Sequence, residues 1–267
     1  VIIDPDKISA LIIECADLYI VPRYNALADH EIMQKTGPND LVTQADIDVE
    51  NHLIRVLPDL YPGSVVVGEE GVSNGTVDAN LLQGPGKFWI VDPVDGTNNF
   101  VKRKREFGVM MAYVVDGVTQ AAWIYDVLGK EMTAAEQGAG AFCAGSRLAL
   151  SGHDRPMSEI TGFMSLRYFP KEQRAALKES QKKFGMTDPL FCAAHEYLGV
   201  AKGVRDFALY SRLKPWDHVP GALIVAESGG FVAKWDGSPY TARDHDGGLI
   251  AARSREIWEK VHATIVR

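Results

Sequence analysis

The stretch Trp89-Ile90-Val91-Asp92-Pro93-Val94-Asp95-Gly96-Thr97-Asn98-Asn99-Phe100 decides how the rest of the chain is read. Trp89, Ile90 and Val91 form an apolar, partly β-branched run suited to a buried strand end. Pro93 has no amide to give a sheet ladder, so the strand is expected to stop at Asp92-Pro93. Asp92 and Asp95 then stand three residues apart in a tight turn, and a short helix is expected over Asn98–Arg103. Carboxylates held this close repel unless a cation lies between them. Gly96 and Thr97 place backbone amides at a helix start, where anions are favoured. A cation site beside an anion site points to metal-assisted chemistry on a phosphate.

The 267 residues can bury one large core or two closely packed halves. Composition is that of an ordinary globular protein, 46% apolar and 24% charged, with neither a low-complexity tract nor an internal repeat. A net charge of −7 argues against nucleic acid as a partner. The apolar run near the start is broken by Glu14 and Asp17 and lacks a basic leader, so neither a signal peptide nor a membrane span is expected. The sequence opens at Val1, so a few preceding residues are expected. Cys15, Cys143 and Cys192 form neither a disulfide framework nor zinc spacing, as in a reduced cytoplasmic protein.

Outward from the central stretch, Asp4-Pro5 opens an amphipathic helix on Ile8, Leu11, Ile12 and Cys15, which Pro22 kinks or ends. Lys35–Asp40 reads as a loop, Ala45–Leu57 as a helix and Val65–Val67 as a strand running into Glu69-Glu70. Asp78–Lys87 reads as a surface loop. Strands are expected over Gly108–Val115, Val118–Tyr125 and Glu131–Ala135, with Asp116-Gly117 as a hairpin turn. The polar stretch Ser151–Pro156 divides residues 1–150 from 151–267. Beyond it strands (Ile160–Met164, Asp206–Tyr210, Phe231–Trp235, Gly248–Ala252) alternate with helices (Pro170–Phe184, Ala193–Lys202, Trp216–Ser228, Arg255–Ile265). An antiparallel-rich first half and an alternating second half predict a layered α/β sandwich.

Five acids stand out: Asp46, Glu69, Asp92, Asp95 and the distant Asp217. Alone, Asp217 reads as a helix cap and Glu69-Glu70 as a solvated turn. Beside Asp92-x-x-Asp95-Gly96-Thr97 they read better as a ligand set. With no histidine or cysteine at ligand spacing, that set selects a hard cation, magnesium with manganese as a substitute. Glu69, Asp92, Asp95 and Asp217 sum to −4, which two divalent ions neutralise. Two such ions about 3.5–4 Å apart can clamp a phosphate and activate a water for in-line attack.

The chain resembles the inositol monophosphatase family of magnesium-dependent, lithium-sensitive phosphatases. The resemblance rests on Asp40-Leu41-Val42-Thr43 with Asp46, Gly68-Glu69-Glu70, the Trp89–Phe100 block, Gly138–Phe142, and Trp216-Asp217 through Glu227-Ser228-Gly229-Gly230. It implies a five-layer αβαβα sandwich, usually a homodimer, with two or three magnesium ions per site. It further implies that Glu69, Asp92 and the Val94 carbonyl hold one metal, and Asp92, Asp95 and Asp217 a second. Glu69 and Thr97 would orient the water, Asp46 would accept from the Thr97 hydroxyl, and the Gly96 and Thr97 amides would hold phosphate oxygens. Lys35 matches a lysine on a mobile loop near the metals, or is a plain surface lysine.

The departures concern the substrate. Tyr210 stands where relatives acting on inositol phosphate carry a glutamate, and Phe191-Cys192 replaces a small-residue turn before Ala193-Ala194. A site that loses a charged acceptor for a polyol loses discrimination. The expectation is therefore a phosphomonoesterase for a small polyol or amino-alcohol phosphate. Histidinol phosphate, sugar bisphosphates and 3′-phosphonucleotides are alternative substrates, and a non-catalytic magnesium- or phosphate-binding regulator is the rival role. An aspartyl-phosphate mechanism needs aspartates two apart, whereas here they are three apart. Lys102-Arg103-Lys104-Arg105 reads as a solvated edge or subunit contact, or else a second-phosphate site. Arg212 and Lys214 are candidates to attract an anionic substrate. His195, His218 and Trp216 read as packing residues.

Overall fold

The computed structural model describes residues 3–37, 40–152 and 154–266. Asp4 accepts the amides of Asp6 and Lys7, and Pro5 takes the first helical position, so α1 (Pro5–Cys15) begins where the sequence predicts. The helix widens to a π turn over Ala16–Ile20 and tightens to a 3₁₀ turn at Val21–Arg23, around Pro22.

Strands β1 (Ile32–Gly37) and β2 (Asp40–Thr43) then pair as an antiparallel hairpin. Lys35 therefore lies in a strand and not in the expected loop. Pro38 and Asn39, the centre of that loop, lie outside the described residues. Helix α2 (Gln44–Leu60) is opened by a reciprocal cap between Thr43 and Asp46, and continues past the expected Leu57 through Pro58.

Next come β3 (Ser64–Gly68) and α3 (Glu69–Ser73), a one-turn helix where a strand-end turn was expected. The expected surface loop contains a 3₁₀ turn over Ala79–Gln83 that buries Leu82, and its last residue opens β4 (Lys87–Asp95).

Strand β4 does not stop at Pro93. Its pairing to β3 ends at Gly68↔Val91, and its ladder to β5 slips between Asp92 and Asp95. The residue without an amide thus sits where neither neighbour needs one. Helix α4 is Thr97–Val101, two residues shorter at its end than expected.

β5 (Gly108–Val115) and β6 (Val118–Asp126) are joined by the predicted turn, with φ of 52° at Asp116 and 85° at Gly117. β7 (Glu131–Glu136), β8 (Gly140–Cys143) and β9 (Ser146–Arg147) complete a seven-stranded sheet in chain order from β3, parallel only between β3 and β4.

The remaining elements alternate: β10 (Thr161–Met164), α5 (Lys171–Gln181), β11 (Met186–Thr187), α6 (Ala193–Ala201), β12 (Phe207–Tyr210), α7 (Pro215–Glu227), β13 (Phe231–Lys234), β14 (Leu249–Ala252) and α8 (Arg255–Ile265). Their strands make a five-stranded sheet ordered β11-β10-β12-β14-β13.

Three apolar cores separate five layers. Ile8 and Ile12 of α1 and Leu53 of α2 pack on Trp89 and Trp123 of the larger sheet. Tyr197 of α6 and Val219 and Ile224 of α7 lie between Ile90, Met110 and Ile124 on one side and Phe163, Ala208 and Ala251 on the other. Leu177 of α5 and Ile257 and Val261 of α8 cover the far face against Leu209 and Ile250. The order is α1/α2, sheet, α6/α7, sheet, α5/α8, the predicted αβαβα sandwich.

The Gly138–Phe142 motif has a structural use: the Gly138 and Gly140 amides donate to Glu227 in the last turn of α7, at 2.7 and 2.9 Å. Cys15, Cys143 and Cys192 are buried free thiols. Among the described residues no helix is long and apolar enough to cross a membrane.

Candidate active site

Glu69 opens α3 at the end of β3, Asp92 lies near the end of the neighbouring β4, and Asp217 falls in the first turn of α7. The parallel pairing of β3 and β4 brings the first two side by side, and the middle helix layer delivers the third from above the sheet. One carboxylate oxygen from each lies within 4.8 Å of the others.

Asp95 sits outside that group of three. Its Oδ2 accepts the Ala194 amide at 2.6 Å and faces the Cys192 thiol at 2.9 Å. It remains near enough that its charge disfavours ionisation of Asp92 and Asp217.

Gly96 turns the chain between β4 and α4 with φ of 84°. A Cβ there would sit 2.9 Å from the Glu106 carbonyl oxygen, so both conformation and space call for glycine. The Thr97 hydroxyl donates to the Val94 carbonyl at 3.0 Å, and Asp46 Oδ1 is a second acceptor at 3.4 Å. The other oxygen of Asp46 accepts the Thr43 amide at 2.8 Å and hydroxyl at 2.6 Å. The expected Thr97–Asp46 pairing is thus the longer of two bonds from that hydroxyl. The Val94 carbonyl keeps a second lone pair free of the threonine.

Burial is the first cause of the charge pattern. It pushes Asp46 up to about 7 against the bonds from Thr43. It raises Asp92 and Asp217 well above the carboxylate range, and the Glu69 charge adds to the effect in both. Asp95 also rises through burial, opposed by the bonds from Cys192 and Ala194.

Glu69 moves the other way. Burial would raise it, but the ammonium groups of Lys214 and Lys35 hold it low. Lys35 Nζ lies 3.1 Å from Glu69 Oε1 and 2.6 Å from Glu70 Oε1, with its side chain 9% exposed. It is no plain surface lysine.

Lys35, Ala193 and Tyr210 all line one cleft of about 700 Å³ together with Glu69, Asp95 and Asp217. The Tyr210 ring stacks on Tyr197, and its hydroxyl finds no hydrogen-bond partner among the described residues. Phe191, 47% exposed and with φ of 56°, stands at the rim.

His218 is buried and neutral, lowered to about 4 by desolvation, with Nε2 2.7 Å from the Arg212 carbonyl and Nδ1 3.1 Å from the Tyr197 hydroxyl. The carbonyl can only accept, so Nε2 carries the proton and Nδ1 accepts from the tyrosine. His195 Nε2 lies 3.1 Å from the Phe107 carbonyl. Both histidines pack, as predicted, and Trp216 is buried at the cleft wall.

Several supporting residues left no mark in the sequence. Glu50 accepts the Glu70 and Gly71 amides at 2.9 and 2.6 Å and so anchors the turn that carries Glu69. Its position on the inner face of α2 was the available signal. Cys192 and Ala194 steer Asp95 from 97 and 99 residues away, a pairing no local pattern encodes.

The sandwich and its convergent oxygen donors are those of a metal-dependent phosphatase. The family described as the inositol monophosphatase family matches residues 12–267. Inositol-1-monophosphatase of Bacillus subtilis is 31% identical over 237 residues, covering 88% of this chain and 85% of that protein. Fructose-1,6-bisphosphatase/inositol-1-monophosphatase of Thermotoga maritima is 28% identical over 211 residues, covering 79% and 78%. The solved structure of a Thermotoga maritima IMPase superposes with a TM-score of 0.82 at 25% identity, covering 98% of this chain and 97% of that one. The chain belongs to the inositol monophosphatase family, whose members hydrolyse phosphate monoesters.

Proposed function

We propose that this phosphatase is magnesium-dependent and cleaves small polyol or amino-alcohol phosphates. The observation that carries the reading is the meeting of Glu69, Asp92 and Asp217 within 4.8 Å at a cleft that also holds Asp95. The donors are hard oxygens, which suits magnesium, or manganese in its place. Glu69, Asp92 and the Val94 carbonyl would hold one ion, and Asp92, Asp95 and Asp217 a second. When bound, such ions supply Lewis acidity toward the phosphate and acidify a water.

The protein's own groups do the positioning. Glu69 and Thr97 orient the water for in-line attack, and Asp46 stands behind the Thr97 hydroxyl. The Gly96 and Thr97 amides face the phosphate oxygens at the start of α4. Lys35, Ala193 and Tyr210 form the wall against the alcohol, where Tyr210 offers a hydroxyl and no charge. Family membership supports a homodimer, lithium sensitivity and a cytoplasmic setting. Strands drawn only from residues 64–147 in one sheet and from 161–252 in the other support a division at 150/151.

The test is a hydrolysis panel of inositol monophosphates, histidinol phosphate, sugar bisphosphates and 3′-phosphonucleotides, with magnesium and with added lithium. Turnover confined to the first two classes and suppressed by lithium is expected. No turnover of any ester would leave a non-catalytic binding role.

A further inference from the structure

Strands β10 and β12 pair in parallel, with Met164 opposite Leu209, so the segments that follow them leave the same edge of the sheet side by side. One carries Ser165, Arg167 and Tyr168, and the other Ser211 and Arg212. All five line the same cleft as the carboxylates. Carboxyl ends of parallel strands are where open α/β sheets receive ligands.

The Arg212 guanidinium lies 4.6 Å from the centre of the Tyr168 ring and that of Arg167 5.5 Å from the same centre. The two guanidinium carbons are therefore within about 10 Å of each other. Among the described residues neither has a carboxylate within 4.0 Å, whereas Lys35 and Lys214, the other cations of the cleft, are both paired with Glu69. Two like charges sharing one exposed ring repel, since they stand no farther apart than about one screening length. An anion held by both removes that repulsion, and a guanidinium fork matches a phosphate or carboxylate with two parallel bonds.

We propose that Arg167 and Arg212, flanking Tyr168, form a second anion subsite, which clasps a phosphate or carboxylate carried by the substrate away from the phosphoester that is cut. The proposal rests on the phosphatase reading above and narrows its substrate to an ester with a second anionic group. A cleft of about 700 Å³ has room for such a ligand beyond the carboxylate end. The basic run Lys102–Arg105 does not serve this purpose: it does not line the cleft, and Arg105 is paired with Asp126 at 3.0 Å.

The test uses the full chain with magnesium and two matched pairs of esters. Fructose 1,6-bisphosphate is compared with fructose 1-phosphate, and 3-phosphoglycerate with glycerol 3-phosphate. The first pair tests a phosphate as second anion, the second a carboxylate. In at least one pair the doubly anionic ester should show a KM about tenfold lower or better. The double variant Arg167→Gln/Arg212→Gln should raise that KM about tenfold with kcat within about twofold, and leave kcat/KM for the matched partner within about twofold. Both arginines are exposed, so the melting temperature should hold. Equal KM values within both pairs, or equal losses on both members of a pair, would overturn the subsite and leave the phosphatase reading intact. No turnover of any of the four esters, with none in the wider panel, would overturn both.

Discussion

The Ala194 amide donates to Oδ2 of Asp95 across 2.6 Å, joining the first turn of α6 to the end of β4. One oxygen of this carboxylate is thereby fixed by protein. The other is left for chemistry, and burial makes its charge costly unless a cation shares it.

Asp95→Asn keeps an acceptor for Ala194 while removing the charge, and Glu69→Gln does the same for its own site. Both variants should fold with unchanged circular dichroism and lose turnover by about 100-fold or more, as a metal clamp does without a ligand. Steady-state assay on the best substrate of the panel decides it. Retained activity in either variant would mean that the ligand assignment is wrong.

In metal-free protein Asp46, Glu50 and Glu70 are each raised to about 7, first by burial, and Asp92, Asp95 and Asp217 are raised as well. A raised folded value favours folding below the unfolded value near 4 and loses that contribution as pH rises through the folded value. His218, lowered to about 4, opposes this: its contribution is present above about 6.5 and lost as pH falls toward 4. Glu69, lowered, acts in the same sense as His218. Six raised carboxyls against two opposing groups decide the sign. In chelator the melting temperature should fall between pH 5 and about 8, and magnesium should raise it more at pH 8 than at pH 5.5. Differential scanning fluorimetry at several pH values reads this directly, and a magnesium shift independent of pH would contradict it.

Gly96→Ala asks a Cβ to sit 2.9 Å from the Glu106 carbonyl oxygen at φ of 84°. The left-handed conformation alone costs about 1–2 kcal/mol, and the backbone contact displaces the turn that aims the Gly96 and Thr97 amides. Both a lower melting temperature and a kcat reduced by about tenfold or more are expected. A drop in stability with kcat unchanged would separate this turn from phosphate binding.

Gly221 of α7 touches Tyr197 of α6, and a Cβ there would come within 2.1 Å of the ring. Gly221→Ala should therefore destabilise by about 1–3 kcal/mol through overpacking. Chemical denaturation of wild type and variant checks this, and an unaltered midpoint would show that the middle layer gives way more easily than its packing implies.

Much of this was legible along the chain because it is local. Trp89–Val91 is a buried strand whatever surrounds it, Asp116-Gly117 makes its two-residue turn unaided, and Asp217 lies at a helix start that Pro215 announces. The errors share a cause. Pro93 was expected to end a strand because one residue cannot reveal that both neighbouring ladders have already lapsed beside it. Lys35 was expected in a loop because Ile32–Gly37 is short and carries no clear alternation, so only its partner strand makes it a strand. Glu50, Cys192 and the Arg167–Tyr168–Arg212 group depend on contacts between distant segments. Nothing in their immediate neighbours sets them apart.

The middle layer has a consequence for biosynthesis. Asp217 is the last of the acidic quartet to be made, and it reaches its place only when α7 lies between two finished sheets, the second of which needs β14 near residue 252. A ribosome-bound chain that has already released Glu69, Asp92 and Asp95 is thus an incomplete catalyst until nearly its whole length has emerged. The cell is spared a half-built hydrolase among its phosphorylated metabolites.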